Sequence, residues 1–215
     1  MRGLFITLEG GEGAGKTTQA HRMKEYFELQ GREVILTREP GGTPEAEKIR
    51  ALLVQRDGGN WTPTAECFLF FAARVMHVET LIKPAVAEGK IVISDRFTDS
   101  TVAYQGYGHG FDLNVIEQVR QIALGDFEPD LTFVLDLPVK EGIKRSMAQK
   151  AVASGAENTE DRFEKLDTSF HERLRHGFLE IAKFEPKRVK VIDATQGVDG
   201  VFKKISKELS MLLHA

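Results

Sequence analysis

The sequence predicts a three-layer α/β fold in which helices cover both faces of a five-stranded parallel sheet, and three observations predict it. Short β-branched runs alternate with longer helical patterns, as the crossover connections of a parallel sheet require. Several runs are almost wholly apolar (IVIS, FVLD and VKVI), as expected of strands covered on both faces. The 215 residues, 41% hydrophobic and 28% charged, suffice for one core with an insertion and have an ordinary globular balance.

Along the chain, a strand over residues 4–8 leads through glycines into a helix over 16–29. The second strand, 33–37, ends at Arg38. Pro63 precedes an apolar-periodic segment that predicts a helix over 64–88. The third strand, 90–94, ends in Asp95-Arg96. Helices are expected over 113–124, 139–148, 163–184 and 198–213, with strands over 131–136 and 188–192 among them. The stretch AQKAVASGAENTED, residues 148–161, has small and polar residues without a strand pattern and reads as a surface insertion in a single domain.

Lys and Arg total 29 against 32 Asp and Glu, and a formal charge of −3 argues against a footprint for nucleic acid or an anionic membrane. The single cysteine, Cys67, cannot form an internal disulfide and reads as a core residue in a reducing compartment, which fits the cytoplasm. The apolar run in MRGLFITLEGG is too short for a signal peptide or a membrane span. The histidines, at 21, 77, 109, 171, 176 and 214, lack the spacing of a structural zinc site.

The segment Gly10-Gly11-Glu12-Gly13-Ala14-Gly15-Lys16-Thr17 matches G-x-x-x-x-G-K-[ST] between an apolar strand and an amphipathic helix. Glycines let the backbone curl with its N–H groups turned inward on phosphates, and the helix adds the positive end of its dipole. Lys16 is the candidate for the β- and γ-phosphates, and the Thr17 hydroxyl for Mg²⁺. A glycine-rich turn that binds nothing is the bland alternative, and the joint pattern disfavours it.

Such loops serve switches, motors and kinases, so other residues must decide. Neither the Asp-x-x-Gly nor the Asn-Lys-x-Asp of a GTPase occurs. Asp95 and Arg96 instead fall at the carboxyl edge of the sheet, where α/β ligands sit, and Arg38 ends another strand at that edge. The carboxylate suits Mg²⁺, and two arginines suit an acceptor that already carries phosphate; surface ion pairs are the alternative. On the helix from residue 64, Phe70 and Arg74 lie four apart and share a face, so a base could stack on the ring beside the guanidinium. Phe68, Leu69 and Phe71 read as core, and Phe70 fits either role.

At this point the chain resembles the thymidylate kinase family, through EGGEGAGKTT, TREPGGT, FLFFAARVMHVE, DRFTDSTVAYQG, GDFEPDLTFVLD and DATQ in that order. The resemblance implies a nucleoside monophosphate kinase fold, transfer of the γ-phosphoryl group of ATP to dTMP, Mg²⁺ as cofactor and a homodimer. It implies that the loop, through Thr18, holds ATP, that Arg38 and Arg96 clamp the dTMP phosphate, and that Phe70 and Arg74 meet thymine. Ser100, Thr101 and Gln105 then fall at the polar edge of the base, and Tyr104 where a ribose 2′-hydroxyl would project. Arg145 and the loop Ala194–Gln196 would enclose adenine.

The loop lacks an arginine at its variable positions, as in the bacterial lid-type members, so the resemblance assigns a transfer arginine to a lid over about 148–162. Arg162 matches it best and Lys150 less well, while Glu12 would face the sugar or hold a substrate arginine. The lid is richer in Ala and Ser than the family pattern suggests. A kinase for another monophosphate and a switch without turnover are the rival readings.

Overall fold

The computed structural model describes residues 2–55, 59–152 and 166–213, with residues 149–152 as backbone only. Five parallel strands form one sheet in the order β2-β3-β1-β4-β5: β1 (Leu4–Glu9), β2 (Val34–Arg38), β3 (Ile91–Asp95), β4 (Leu131–Asp136) and β5 (Val189–Asp193). Each lies within one residue of its sequence-predicted bounds. Register pairs Leu8 and Arg38 with Asp95, bringing the ends of β1, β2 and β3 to one edge.

The strands alternate between two covered faces, as period-two side chains must. Ile6, Ile93 and Phe133 pack against Met23 and Phe27 of α1 (Lys16–Glu28) and Ile205 of α9 (Val198–Leu213). On the other face Phe5, Val92 and Phe97 pack against Phe71 of α3 (Pro63–His77) and Ile116 of α6 (Leu113–Leu124). Val134 meets Leu174 and Phe178 of α8 (Thr168–Phe184).

Five departures from the sequence reading have physical reasons. The helix predicted over 163–184 is α8, which starts at Thr168 because the Asp167 side chain caps it by accepting from the Phe170 N–H. The helix predicted over 64–88 is α3, a widened π turn (Val78–Ile82) and α4 (Lys83–Ala87), and Pro84 lacks the N–H that a regular ladder needs. Helix α7 (Val139–Val152) runs past the predicted end at 148 because Gln149, Lys150 and Ala151 favour helix. Helix α2 (Pro44–Val54) was not foreseen; the Thr43 side chain caps it by accepting from the Ala46 N–H, and Pro44 opens it. Neither were α5 (Thr98–Thr101) and the π-helical segment that continues it, Val102–Gly108.

Phe68 is a correction: it is 55% exposed rather than core. Four successive residues on a helix span its whole circumference, so Phe68, Leu69, Phe70 and Phe71 cannot all face inward. Among the described residues no helix is long and apolar enough to cross a membrane.

Candidate active site

The glycine loop takes the curled form that its composition allows. Gly10, Gly13 and Gly15 have φ of 134°, 68° and 92°, where only glycine is unstrained. A Cβ on Gly13 would stand 2.2 Å from the Gly142 carbonyl oxygen, so the loop packs directly on α7. Helix α1 follows with no side-chain cap and no acidic residue in its first turn, leaving its N–H groups to an anion. Lys16 is 8% exposed and donates to the Gly10 and Gly11 carbonyls at 3.2 and 3.0 Å. Burial, then the neighbouring Arg96 charge, holds its pKa below the usual lysine range, against the pull of Asp95 and Glu12.

Asp95, at the end of β3, accepts from the Thr17 hydroxyl at 3.1 Å. The next residue, Arg96, has a φ of 76°, the one positive value among the described non-glycine residues. Its N–H donates to the Leu8 carbonyl and its carbonyl accepts from the Ser94 hydroxyl, which fix this strained backbone. The guanidinium then reaches the Gly10 carbonyl, the Ser100 hydroxyl and Glu12, at 3.0 Å from the carboxylate. Tyr104 donates to that Glu12 oxygen at 3.0 Å and lies under Arg96. Burial pushes the Glu12 carboxyl up, but Arg96 and Lys16 outweigh it and hold the net value down. For the Tyr104 hydroxyl, burial raises the pKa well above the usual phenol range, and Glu12 adds to it against Arg96.

The residues expected to meet the base come from α3 and the helical turn after β3. Arg74 is 2% exposed and donates to Glu39 at 2.7 Å, to the Thr101 hydroxyl at 3.1 Å and to the Phe97 carbonyl at 3.0 Å. Phe70 rests on Leu53 and Val54, so the unforeseen helix α2 backs the predicted stacking ring. Gln105 donates to Glu66 at 2.9 Å. Arg38 lies over α2, 3.2 Å from Glu47.

One cleft of about 490 Å³ unites these groups: Glu12, Gly13, Gly15, Lys16, Thr17 and Thr18 on one side and Arg38, Phe70, Arg74, Asp95, Arg96, Ser100, Thr101, Tyr104 and Gln105 on the other. Gly10 and Gly11, in the same loop, face a smaller cavity toward β4 and α8, and Ala14 is buried in the core beneath the loop. Arg145 does not line the cleft; it donates to the Ala194 carbonyl at 3.0 Å and to Glu141, beside the loop expected to enclose adenine. Arg162 and most of the expected lid lie outside the described residues, as does the Lys150 side chain.

Sequence reasoning missed two buried carboxylates. Glu39 holds Arg74, and Glu9 accepts from the Phe97 N–H at 2.7 Å and the Ser100 hydroxyl at 2.5 Å. Burial, reinforced by Asp99, pushes the Glu9 carboxyl up to about 8. Glu9 and Glu39 lie within the quoted segments EGGEGAGKTT and TREPGGT, and their burial was the missing signal.

A phosphate loop after the first strand, a 2-3-1-4-5 parallel sheet and an acceptor cleft at its carboxyl edge define a P-loop phosphotransferase. The family model described as Thymidylate kinase matches residues 8–205. A thymidylate kinase of Syntrophotalea carbinolica is 45% identical over 94% of this chain and 93% of its own length, and one of Geotalea daltonii is 48% identical over 92% of each. The crystal structure of thymidylate kinase from Ehrlichia chaffeensis superposes with a TM-score of 0.77 at 37% identity, covering 98% of this chain and 99% of that one. The chain belongs to the thymidylate kinase family.

Proposed function

We propose that the cleft seats dTMP with its base against α3 and its phosphate facing ATP held on the glycine loop. As a member of its family, the chain catalyses ATP-dependent phosphorylation of dTMP to dTDP. One observation carries the assignment of this activity to the cleft: Lys16 and Thr17 share a single cavity with Phe70 and Arg74. A phosphate cradle at one end and a ring with a fixed donor at the other suit a triphosphate facing a nucleoside monophosphate.

In this reading thymine stacks on Phe70 and its O4 accepts from Arg74, while Ser100, Thr101 and Gln105 line the polar edge. Tyr104 closes the space a ribose 2′-hydroxyl would need, and Arg38 and Arg96 clamp the dTMP phosphate. Glu12, already engaged with Arg96, orients that clamp. Adenine lies between Arg145 and Ala194–Gln196. The attacking phosphate oxygen is ionised at neutral pH, so no side-chain base is needed. Lys16, Arg96 and Arg162 supply positive charge to the oxygens of the moving group.

The Thr17 hydroxyl and Asp95 carboxylate are oxygen donors of the kind a hard divalent cation takes, and their 3.1 Å contact at the loop suits Mg²⁺. Bound there, Mg²⁺ would neutralise phosphate charge. The chain acts as one domain with a lid over about 148–162, in the cytoplasm. Phe68, Leu113 and Ile122, exposed to 55%, 40% and 88% on α3 and α6, support a homodimer across those helices. Light scattering should then return twice the chain mass of 24.0 kDa.

Coupled ADP release with ATP, Mg²⁺ and single monophosphates tests the assignment. Release that depends on dTMP and weakens in Arg74→Ala supports it; full dTMP turnover in Arg74→Ala would remove the base from this end of the cleft.

A further inference from the structure

Arg74 is a buried cation, and the groups around it do more than neutralise it. Glu39, also 2% exposed, turns one carboxylate oxygen to the Arg74 Nε–H at 2.7 Å and the other to Nδ1 of His77 at 2.9 Å. His77 is wholly buried, and its Nε2 lies 2.7 Å from the Thr37 hydroxyl. Arg74 and His77 are three residues apart on α3, so one carboxylate grips both from the side. Glu39 is anchored in turn, because its N–H donates to the Asp95 carbonyl of β3 at 3.0 Å. A line of contacts thus runs from β2 through Thr37, His77 and Glu39 to the guanidinium.

An arginine has five N–H donors in a rigid plane. Three are used, on Glu39, Thr101 and the Phe97 carbonyl, and the rings of Phe71 and Phe97 lie 4.9 and 5.3 Å from the guanidinium carbon. These contacts fix the plane at three of its donors and on its faces, and Arg74 lines the cleft together with Glu39, Phe97 and Thr101. An ionised carboxylate only accepts, so Glu39 directs donors toward itself and cannot compete with them. A side chain held this way meets its ligand without losing further freedom on binding.

We infer that Glu39 is a positioning residue for base recognition, which holds the Arg74 guanidinium so that its remaining donors face the cleft, with His77 and Thr37 as the brace behind it. This rests on the reading that Arg74 meets the base. Glu39 lines the cleft beside Arg74, and the role inferred for it is exerted through its grip on the Arg74 guanidinium.

The test compares Glu39→Gln, Thr37→Val and Arg74→Ala with the wild type, measuring kcat and KM for dTMP and ATP separately, turnover with dCMP, and thermal unfolding. Glu39→Gln keeps the shape, but its amide presents a donor to one of two groups that were donating. It should raise KM for dTMP about 10–100-fold with KM for ATP near wild type, and narrow the preference for dTMP over dCMP. Thr37→Val leaves the Glu39–Arg74 contact intact and should raise KM for dTMP about 2–5-fold. That variant decides the matter if Glu39→Gln does not fold. Wild-type KM and preference in Glu39→Gln, or in Thr37→Val where it must stand alone, would overturn the proposal while Arg74→Ala still loses dTMP. Equal losses toward ATP and dTMP with a lower melting temperature would also overturn it, in favour of a purely structural role. If Arg74→Ala keeps normal dTMP kinetics, the base assignment itself fails, and the proposal with it.

Discussion

The two ends of the cleft are built from different materials. The phosphate end is mainly backbone: glycines with positive φ, an uncapped helix start and one lysine resting on loop carbonyls. The end proposed for the base is side chain upon side chain, with Arg74, Glu39 and His77 buried in a hydrogen-bonded chain that begins on β2. Backbone donors suit phosphate, which every nucleotide shares, whereas a fixed guanidinium can tell one base edge from another. Catalysis and selectivity should therefore fail separately when each end is altered.

The largest separation should come from Lys16→Ala. Removing this charge from the loop should lower kcat by about 10²–10³-fold, with KM for dTMP changed little, in steady-state kinetics. A matching rise in KM for dTMP would blur the two ends into one. Next, Arg74→Ala should reduce kcat/KM for dTMP by about 10–100-fold and leave the KM for ATP near its wild-type value. A smaller effect is expected of Gly13→Ala, whose methyl group must displace the Gly142 carbonyl in a left-handed backbone. Its KM for ATP should rise about 3–10-fold without a change in base preference, since the fault lies wholly at the phosphate end.

A last, separate effect concerns stability rather than turnover. The Glu9 carboxyl titrates at about 8 in the folded chain against an ordinary 4.5, so between these values the folded state keeps a proton that the unfolded state releases. Stability from this group is therefore full at low pH and lost as pH rises from about 4.5 through about 8. Glu9→Gln, a neutral mimic of the protonated acid, should flatten that part of the Tm–pH curve. An unchanged slope in the variant would assign the pH dependence elsewhere.

The phosphate end was far more legible in the sequence than the base end, for the same physical reason that separates them. A loop made of consecutive residues carries its geometry in local spacing, and nearly apolar strands declare themselves over a few residues. Thus Gly10–Thr17 and the five strands were read almost to the residue. The base end depends on residues far apart in the chain: Glu39 and Arg74 are 35 positions apart, and neither position by itself announces the contact. Helix α2 carried a readable start in Thr43-Pro44-Glu45, a capping residue followed by proline in the first turn. The segment TDSTVAYQGYG runs against helix propensity with its β-branched residues and glycines. Tertiary packing against α8 and Glu9's hold on Phe97 and Ser100 override that preference. Phe70 was ambiguous because a ring that is 9% exposed is both packed on α2 and open to the cleft.

The account is tested most directly by ADP release from ATP and Mg²⁺ with dTMP, dUMP, UMP, dCMP and AMP, each offered to the wild type and to Arg74→Ala. It predicts strong preference for dTMP in the wild type and collapse of that preference in the variant with ATP binding retained. Turnover that ignores the base, or a preference for dTMP that survives in Arg74→Ala, would contradict it.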